Sequence, residues 1–213
     1  MPSRPLVLIT GAAGTIGAAL IAALRDRYTV VGLDMKGKQA QCEMVEVDLT
    51  RDDSIREALA TLRQRHGHRI ACVVHLAAYF DFTGEEHPLY EALNVQGTRK
   101  LLRELQSFEV EQLLYPGTML VHAPAAPGER IDESASIAPK WAYPKSKAAA
   151  EEVIRREHGR IPYVLLHLAG VYDDQTVVPT LVSEVVCGIL LIALSVRRGP
   201  VRNCYGRWNR LLI

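Results

Sequence analysis

Tyr143 and Lys147 are a pair of side chains whose types and spacing could do chemistry. Four residues apart on a helix, they would lie on one face, about one turn from each other. A lysine ammonium beside a phenol stabilises the phenolate and lowers the pKa of the tyrosine, as general acid–base catalysis requires. Because such pairs also occur by chance on many surface helices, the interpretation depends on further motifs.

A glycine-rich turn near the N-terminus supplies that context. It follows an apolar run, 5–9, and opens onto residues of helical composition, 18–24. Glycines permit a tight turn and a close approach of bare backbone, and the helix N-terminus supplies free N–H groups and a partial positive charge. The arrangement predicts a site for the pyrophosphate of a dinucleotide. The residues predicted to hold it are Gly11, Gly14, Thr15, Ile16 and Gly17.

An acidic residue, Asp34, ends the second predicted strand, 28–34, twenty residues after Gly14. A carboxylate at this place accepts hydrogen bonds from the hydroxyls of the adenosine ribose and would repel a 2′-phosphate. The sequence therefore favours NAD over NADP as the cofactor, although Lys36 lies close enough to weaken the preference. A solvated acid at a strand end is the alternative interpretation.

Strand and helix patterns alternate along the chain. Apolar or alternating runs predict strands at 5–9, 28–34, 42–48, 70–76, 112–115 and 162–168, and helices are predicted at 18–24, 52–65, 88–105 and 142–158. Repeated β-α units predict an α/β fold, a doubly wound Rossmann-type parallel sheet of at least six strands with helices on both faces. Residues 119–140 form a long irregular loop, and such loops are usually functional.

The bulk composition narrows the functional class. A length of 213 residues suits one α/β domain, and a net charge of +1 gives no electrostatic reason to expect a nucleic-acid partner. The cysteines lack metal-ligand spacing, so no metal site is predicted and a cytoplasmic protein with reduced thiols is expected. They are Cys42, Cys72, Cys187 and Cys204. The first strand begins too close to Met1 to leave room for a signal peptide.

Together, the glycine turn and the Tyr143-x-x-x-Lys147 pair resemble the short-chain dehydrogenase/reductase superfamily, and more narrowly its extended, NAD-dependent epimerase/dehydratase branch. The resemblance covers about residues 5–180, because further segments match that branch in order. They are Asp48-Leu49, His75-Leu76-Ala77-Ala78, Asn94-Val95-Gln96-Gly97-Thr98, Thr118 and Leu168-Ala169-Gly170-Val171-Tyr172.

The resemblance implies an NAD-dependent oxidoreductase or epimerase/dehydratase that acts on a hydroxyl or keto group, as of a sugar or nucleotide-sugar. Tyr143 would take the hydroxyl proton while hydride passes to NAD, Lys147 would hold the nicotinamide ribose and keep Tyr143 acidic, and Thr118 would stabilise the developing oxyanion. Cofactor-binding roles are implied for Asp48, Leu49, Leu76, Ala77, Ala78, Asn94 and Lys147, with Asn94 in a supporting position.

The resemblance also implies an assembly, and the absence of a recognisable substrate lobe after residue 182 raises an alternative function. The branch often dimerises through the helices that carry Asn94 and Tyr143, so a homodimer is a candidate assembly. A dinucleotide-binding module without turnover, acting as a sensor or partner, is the alternative function. The complete set of Thr118, Tyr143 and Lys147 argues against it.

Several residues depart from the family pattern or invite over-interpretation. His75 lies inside a predicted strand and is expected to be a packed core histidine. His122 lies in the long loop where the family often has Tyr, and contact with substrate and simple packing are equal alternatives. His167-Leu168 stands where Arg-Pro is common, and Pro116-Gly117-Thr118 replaces a run of hydroxyl residues.

The family pattern extends to about residue 182, and residues 183–213 are predicted to form an atypical ending in place of a substrate lobe. An apolar run, 185–196, precedes a tail with five arginines and no acid. Three interpretations are open: a core helix with a basic tail, a membrane anchor, or a truncated or frameshifted remnant. Twelve residues span only about 18 Å as a helix, against a hydrocarbon core of about 30 Å, which disfavours the anchor. The abrupt change in composition favours the remnant.

Overall fold

A computed structural model describes residues 4–81, 84–124 and 131–171 of the chain. Its strands are β1 (Leu6–Thr10), β2 (Thr29–Asp34), β3 (Glu43–Glu46), β4 (Arg69–Ile70), β5 (Cys72–His75), β6 (Glu109–Val110), β7 (Leu113–Thr118) and β8 (Tyr163–Leu168). Among these residues, six strands form one parallel sheet in the order β3-β2-β1-β5-β7-β8, and β4 pairs with β6 separately.

Four α-helices lie between the described strands, and their bounds are α1 (Thr15–Leu24), α2 (Asp52–His66), α3 (Thr98–Leu105) and α4 (Ala142–Glu157). Parallel connections are right-handed, so α1 covers one face of the sheet and α2, α3 and α4 cover the other. On that second face, α3 packs against both α2 and α4. This arrangement confirms the predicted doubly wound α/β fold.

Burial explains the two sequence patterns that predicted these elements. Every residue of β1 is buried, as a central parallel strand covered on both faces requires, and this is why its sequence is a continuous apolar run. In α2 the buried residues are Ile55, Ala58, Leu59 and Leu62, which follow the spacing of one helical face. These are the inner-face residues that the sequence predicted.

Most predicted elements differ from the structure at their end residues, and three differ in ways that tertiary structure explains. The run 70–76 is divided: Ile70 pairs with Val110 in the small sheet, whereas Cys72–His75 forms β5 of the main sheet. The predicted helix at 88–105 forms, but its part Tyr90–Gly97 has the wider hydrogen bonding of a π-helix before α3 begins. β7 continues to Thr118, beyond the predicted 112–115, because β8 pairs with it over its whole length.

Some predictions fall on residues that lie outside the described ranges. These are the predictions for Tyr172, for Cys187 and Cys204, and for the segment 183–213. Of the described cysteines, Cys42 is half-buried and Cys72 is buried, and both are free thiols. No helix within the described ranges combines the length and apolarity needed to cross a membrane.

Candidate active site and cofactor cavity

A cavity of about 450 Å³ lies at the carboxyl ends of β1, β2 and β5. It sits where the strand order reverses between β1 and β5, the place at which doubly wound sheets bind nucleotides. The predicted cofactor-binding residues that line it are Gly11, Gly14, Asp34, Asp48, Leu49, Leu76, Ala77 and Ala78. The structure therefore brings most of the predicted cofactor residues into one cavity.

The glycine turn packs so closely against its neighbours that two of its positions have no space for a side chain. Gly11 has a φ of +68°, and a β carbon on it would lie 2.8 Å from the backbone nitrogen of Ala77. A β carbon on Gly17 would lie 2.5 Å from the carbonyl oxygen of Ala12, which explains the tight contact between α1 and the turn. Only glycine fits at either position.

The N-terminus of α1 is free to receive an anion. Gly14 is its N-cap and offers no side chain to the first-turn N–H groups, and the first turn holds no acidic residue. Thr15 is exposed and Ile16 is half-buried at this end of the helix. Unpaired N–H groups and the positive end of the helix dipole suit a pyrophosphate, so these residues fit a dinucleotide.

Asp34 is held at the cavity by two backbone hydrogen bonds. Its Oδ2 accepts from the N–H of Ala13 at 2.9 Å and its Oδ1 accepts from the N–H of Met35 at 2.8 Å. Each carboxylate oxygen has a further lone pair, so the group can still accept hydrogen bonds from ribose hydroxyls. Lys38 lines the cavity, whereas Lys36, the lysine singled out from the sequence, does not.

A buried network beneath the cavity is built around His75. Its Nδ1 lies 2.7 Å from Oγ1 of Thr10, and its Nε2 lies 2.9 Å from Oγ1 of Thr98. Thr98 donates its hydroxyl proton to the carbonyl of Asn94, so it must accept from His75 Nε2–H. Thr10 in turn accepts from the N–H of Ala77, a residue of the cavity wall. The prediction that His75 is a packed core histidine is confirmed.

His75 should make stability sensitive to acid. Burial, with a smaller contribution from Lys147, lowers the pKa of His75 to about 3. In the unfolded chain the pKa of His75 returns to about 6.5. Between that pH and about 3, the unfolded state therefore binds a proton at His75 and the folded state does not. We expect the free energy of unfolding to fall by about 1 kcal/mol per pH unit as pH drops from 6.5 towards 3.

Chemical denaturation of two variants between pH 6.5 and 5 checks this expectation. His75→Asn should flatten the pH slope, because the asparagine has no proton to gain. His68→Asn is the matched control, since the His68 side chain is 60% exposed. Equal slopes for His75→Asn and the wild type would contradict the assignment.

Asn94 connects three backbone segments and does not line the cavity. Its Oδ1 accepts from the N–H of Tyr79 at 2.7 Å, and its Nδ2 donates to the carbonyl of Tyr79 at 3.0 Å and to Oγ of Ser146 at 2.9 Å. These bonds tie the segment after β5 to α4. A supporting role of Asn94 in cofactor binding stays a prediction.

The three predicted catalytic residues occur at the end of β7 and in the first turns of α4. Thr118 is the last residue of β7, and its Oγ1 accepts from the N–H of Leu120 at 3.3 Å. The ring of Tyr143 meets Phe80 edge-on, with centroids 4.6 Å apart, and lies 6.4 Å from the ring of Tyr90. Thr118 is at the carboxyl end of β7, and α4 packs against both β7 and the turn 119–121 that follows it, so Thr118 and the start of α4 with Tyr143 lie at the same edge of the sheet.

Lys147 is buried and its Nζ lies 4.1 Å from the ring centre of Tyr115, a contact that the sequence did not reveal. Burial lowers the pKa of Lys147 to about 7, although the nearby charge of Glu151 opposes the shift. Like Asn94, Lys147 does not line the cavity.

The expectation that Lys147 lowers the pKa of Tyr143 is wrong for this structure. Burial of the phenol, followed by the neighbouring Tyr90, raises the pKa of Tyr143 above its ordinary value. The physical reason is that desolvation disfavours the phenolate, while the lysine ammonium faces Tyr115 and is itself destabilised by burial.

The fold and cavity define the class of this protein as a short-chain dehydrogenase/reductase of the extended type. The profile of the NAD dependent epimerase/dehydratase family matches residues 7–191, and the chain belongs to this family. The resemblance carried by the glycine turn and the ordered motifs is thereby confirmed. The match also includes the first residues of the segment 183–213.

Among curated proteins, the chain is similar to N-acetyl-alpha-D-glucosaminyl-diphospho-ditrans,octacis-undecaprenol 4-epimerase of Escherichia coli O157:H7. The two are 28% identical over 157 residues, which cover 73% of this chain and 44% of that protein. Among solved structures, it is similar to the UDP-glucose 4-epimerase of Thermus thermophilus in complex with NAD, with 28% identity and a TM-score of 0.64. That match covers 76% of this chain and 54% of the epimerase.

A third similar protein is the GalE-like L-threonine dehydrogenase from Cupriavidus necator in its holo form. Its identity to this chain is 28% and the TM-score is 0.66, with 81% of this chain and 56% of the dehydrogenase covered. The chain thus spans about half the length of the relatives it matches. These relatives are enzymes, two of them epimerases and one a dehydrogenase.

Proposed function

We propose that this chain carries the cofactor site and the acid–base group of an NAD-dependent oxidoreductase or epimerase/dehydratase. Its substrate is a sugar or nucleotide-sugar, of which a hydroxyl or keto group reacts by hydride transfer. The observation that carries the proposal is the cavity at the switch point, with its glycine cradle and Asp34, on the same edge of the sheet as Thr118 and Tyr143.

In the proposed oxidation the hydride and the proton leave the substrate for different groups. NAD, when bound, accepts the hydride from the substrate carbon. Tyr143 takes the hydroxyl proton at its Oη, and Thr118 donates its hydroxyl hydrogen to the substrate oxygen while negative charge develops there. The raised pKa of Tyr143 favours the phenol over the phenolate before substrate and cofactor enter.

Lys147 is assigned to the cofactor. A pKa of about 7 lets its side chain gain or lose a proton near neutrality. In its protonated form it can donate hydrogen bonds to the ribose hydroxyls next to the nicotinamide, and we assign this ribose contact to it. The positive charge that favours the phenolate of Tyr143 would come from the nicotinamide of bound NAD.

NAD is proposed over NADP because of Asp34. Its carboxylate is fixed at the cavity by the N–H groups of Ala13 and Met35, so it cannot turn away from a 2′-phosphate without losing both hydrogen bonds. Lys38 on the cavity wall offsets part of the repulsion. The NAD bound to the Thermus thermophilus relative supports the same choice.

The sugar class rests on the two similar epimerases, since one is named for a glucosaminyl-diphospho lipid and the other for UDP-glucose. The threonine dehydrogenase extends the candidates to a small hydroxy amino acid. The experiment is turnover by the purified chain with NAD, given UDP-glucose, UDP-N-acetylglucosamine or L-threonine. We expect conversion of one of the two nucleotide-sugars, and turnover of L-threonine alone would contradict the substrate class.

A second candidate function is a dinucleotide-binding module without turnover. It is favoured by the raised pKa of Tyr143 and by the position of Lys147 Nζ over Tyr115. NAD binding without conversion of any of the three substrates would support this candidate.

A further inference from the structure

A chain of partly buried hydrogen bonds joins Glu151, His167 and His122, and the proposed chemistry does not use it. Nε2 of His167 lies 3.1 Å from both carboxylate oxygens of Glu151. Nδ1 of the same ring lies 2.7 Å from Nε2 of His122, and the two rings meet edge to face at 63°. The chain connects α4, β8 and the turn that follows β7.

The fold makes room for this chain at Gly117. A β carbon there would lie 2.3 Å from Oε1 of Glu151 and 3.2 Å from Cδ2 of His167, so any other residue would push the carboxylate away. The Glu151 side chain is only 3% exposed. A buried charge of this kind persists where hydrogen bonds and neighbouring charges compensate it.

The order of donors and acceptors along the chain follows from the carboxylate. Ionised Glu151 can only accept, so His167 donates through Nε2–H and its Nδ1 carries a lone pair. His122 must then donate through its own Nε2–H to that lone pair. The network therefore leaves Nδ1 of His122 unprotonated, with a lone pair to offer.

That acceptor atom has no hydrogen-bond partner among the described residues, although it is buried. His122 as a whole is 7% exposed, and it lies four residues after Thr118, just beyond the end of β7. Buried polar atoms without a partner are rare in folded proteins, and Oε1 of Glu151 is a second one here; each calls for an explanation such as a ligand, a catalytic role or a bound water. A ligand that carries a hydrogen-bond donor would satisfy this atom.

We propose that His122 determines substrate specificity by accepting, at Nδ1, a hydrogen bond from a hydroxyl or N–H group of the substrate. This inference rests on the proposed function, since it assigns a contact to the substrate of that reaction. Glu151 and His167 are positioning residues, because they set the tautomer and orientation of the His122 ring. The substrate thus carries a donor group besides the one that reacts, as sugars do.

Other charged groups face the Glu151 end of the chain. Arg155 Nη2 lies 3.4 Å from Oε2 of Glu151, and the charge of Glu151 also acts on Lys147 and on Tyr115. Arg155 can only donate, so Glu151 accepts from it as well, in agreement with the donor order.

Two substitutions distinguish the roles of the two ring nitrogens of His122. His122→Gln keeps an N–H donor where Nε2 stood and removes the acceptor at Nδ1. His122→Asn places an amide oxygen near the Nδ1 position and loses the link to His167. With UDP-glucose or UDP-N-acetylglucosamine as the probe, we expect His122→Gln to lower kcat/KM by about 10- to 100-fold, mainly through KM, and His122→Asn to lose less.

Nitrogen-15 NMR of the histidine rings provides a readout that does not depend on turnover. We expect Nδ1 of His122 to be the ring nitrogen without the proton, and its resonance to move when the nucleotide-sugar probe is added to the NAD-bound protein. A protonated Nδ1, or an unmoved resonance with a probe that is bound, would overturn the proposal. So would full activity of His122→Gln.

Failure of this inference can be told apart from failure of the proposed function. If Tyr143→Phe abolishes turnover while His122→Gln does not change it, the result supports the proposed function and refutes the proposed contact between His122 and the substrate. If the wild type binds NAD but neither nucleotide-sugar, the sugar assignment falls and the His122 proposal falls with it.

Discussion

Tyr143→Phe is expected to lower kcat by about 100- to 10,000-fold, the range that a positioned acid–base group contributes. The substitution removes only the hydroxyl group, so the ring contacts with Phe80 and Tyr90 should persist. NAD affinity and thermal stability should therefore change little. Steady-state turnover of the accepted nucleotide-sugar, with NAD binding measured in parallel, checks both expectations.

Tyr163→Phe is the matched control for this experiment. Tyr163 is a half-buried tyrosine of β8 that packs against His158, away from α4's first turn. It should retain wild-type turnover. Wild-type turnover in Tyr143→Phe would instead remove Tyr143 from the mechanism, and absence of turnover in every variant, with NAD bound, would favour the non-catalytic module.

Gly11→Ala is expected to abolish NAD binding and to destabilise the fold. An alanine at a φ of +68° is strained by about 1–3 kcal/mol. Its β carbon would also lie 2.8 Å from the backbone nitrogen of Ala77, inside the cavity wall. Denaturant unfolding should show the loss of stability, and titration with NAD should show no binding.

Gly67→Ala separates backbone strain from damage to the cavity. Gly67 has a φ of +81°, but a β carbon there would have no atom within 4 Å, and it ends α2 away from the glycine turn. We expect a similar loss of stability with NAD binding intact. Undiminished NAD binding by Gly11→Ala would refute the assignment of the glycine turn to the cofactor.

The cofactor half of the site was predictable because it depends on local patterns. Gly11 directly follows β1 and Asp34 is the last residue of β2, and the carboxyl ends of parallel strands meet at one edge of the sheet. Identifying the strands was therefore enough to place Asp34 at this edge, whereas Asp48 and Ala77 were assigned from the family resemblance. Lys38 was missed because the loop after β2 carries no periodic signal.

Features set by tertiary packing were not predictable from the sequence. The division of the run 70–76 depends on pairing with Glu109–Val110, a strand too short to give a recognisable sequence pattern. The spacing of Tyr143 and Lys147 placed both on one helix, but it could not show that the ammonium lies over Tyr115 or that burial raises the pKa of Tyr143. The first effect comes from Tyr115 on β7, and the second comes from burial of the phenol and from Tyr90.

The Glu151–His167–His122 chain shows the same limit more sharply. His122, His167 and Gly117 each departed from the family pattern, yet no sequence spacing connects them. Only the pairing of β7 with β8 and the packing of α4 bring the three positions together. Departures that converge in space indicate a shared role more strongly than any one of them does in sequence.

Thermal melting of the purified chain with NAD, NADH, NADP and NADPH tests the central claim most directly. A ligand at one hundred times its Kd adds about 2.7 kcal/mol of stability, which should raise the Tm by about 5–10 °C. The account predicts this rise with NAD or NADH and a smaller one with NADP and NADPH. No shift with any of the four dinucleotides would contradict the cofactor cavity, and a larger shift with NADP would contradict the role of Asp34.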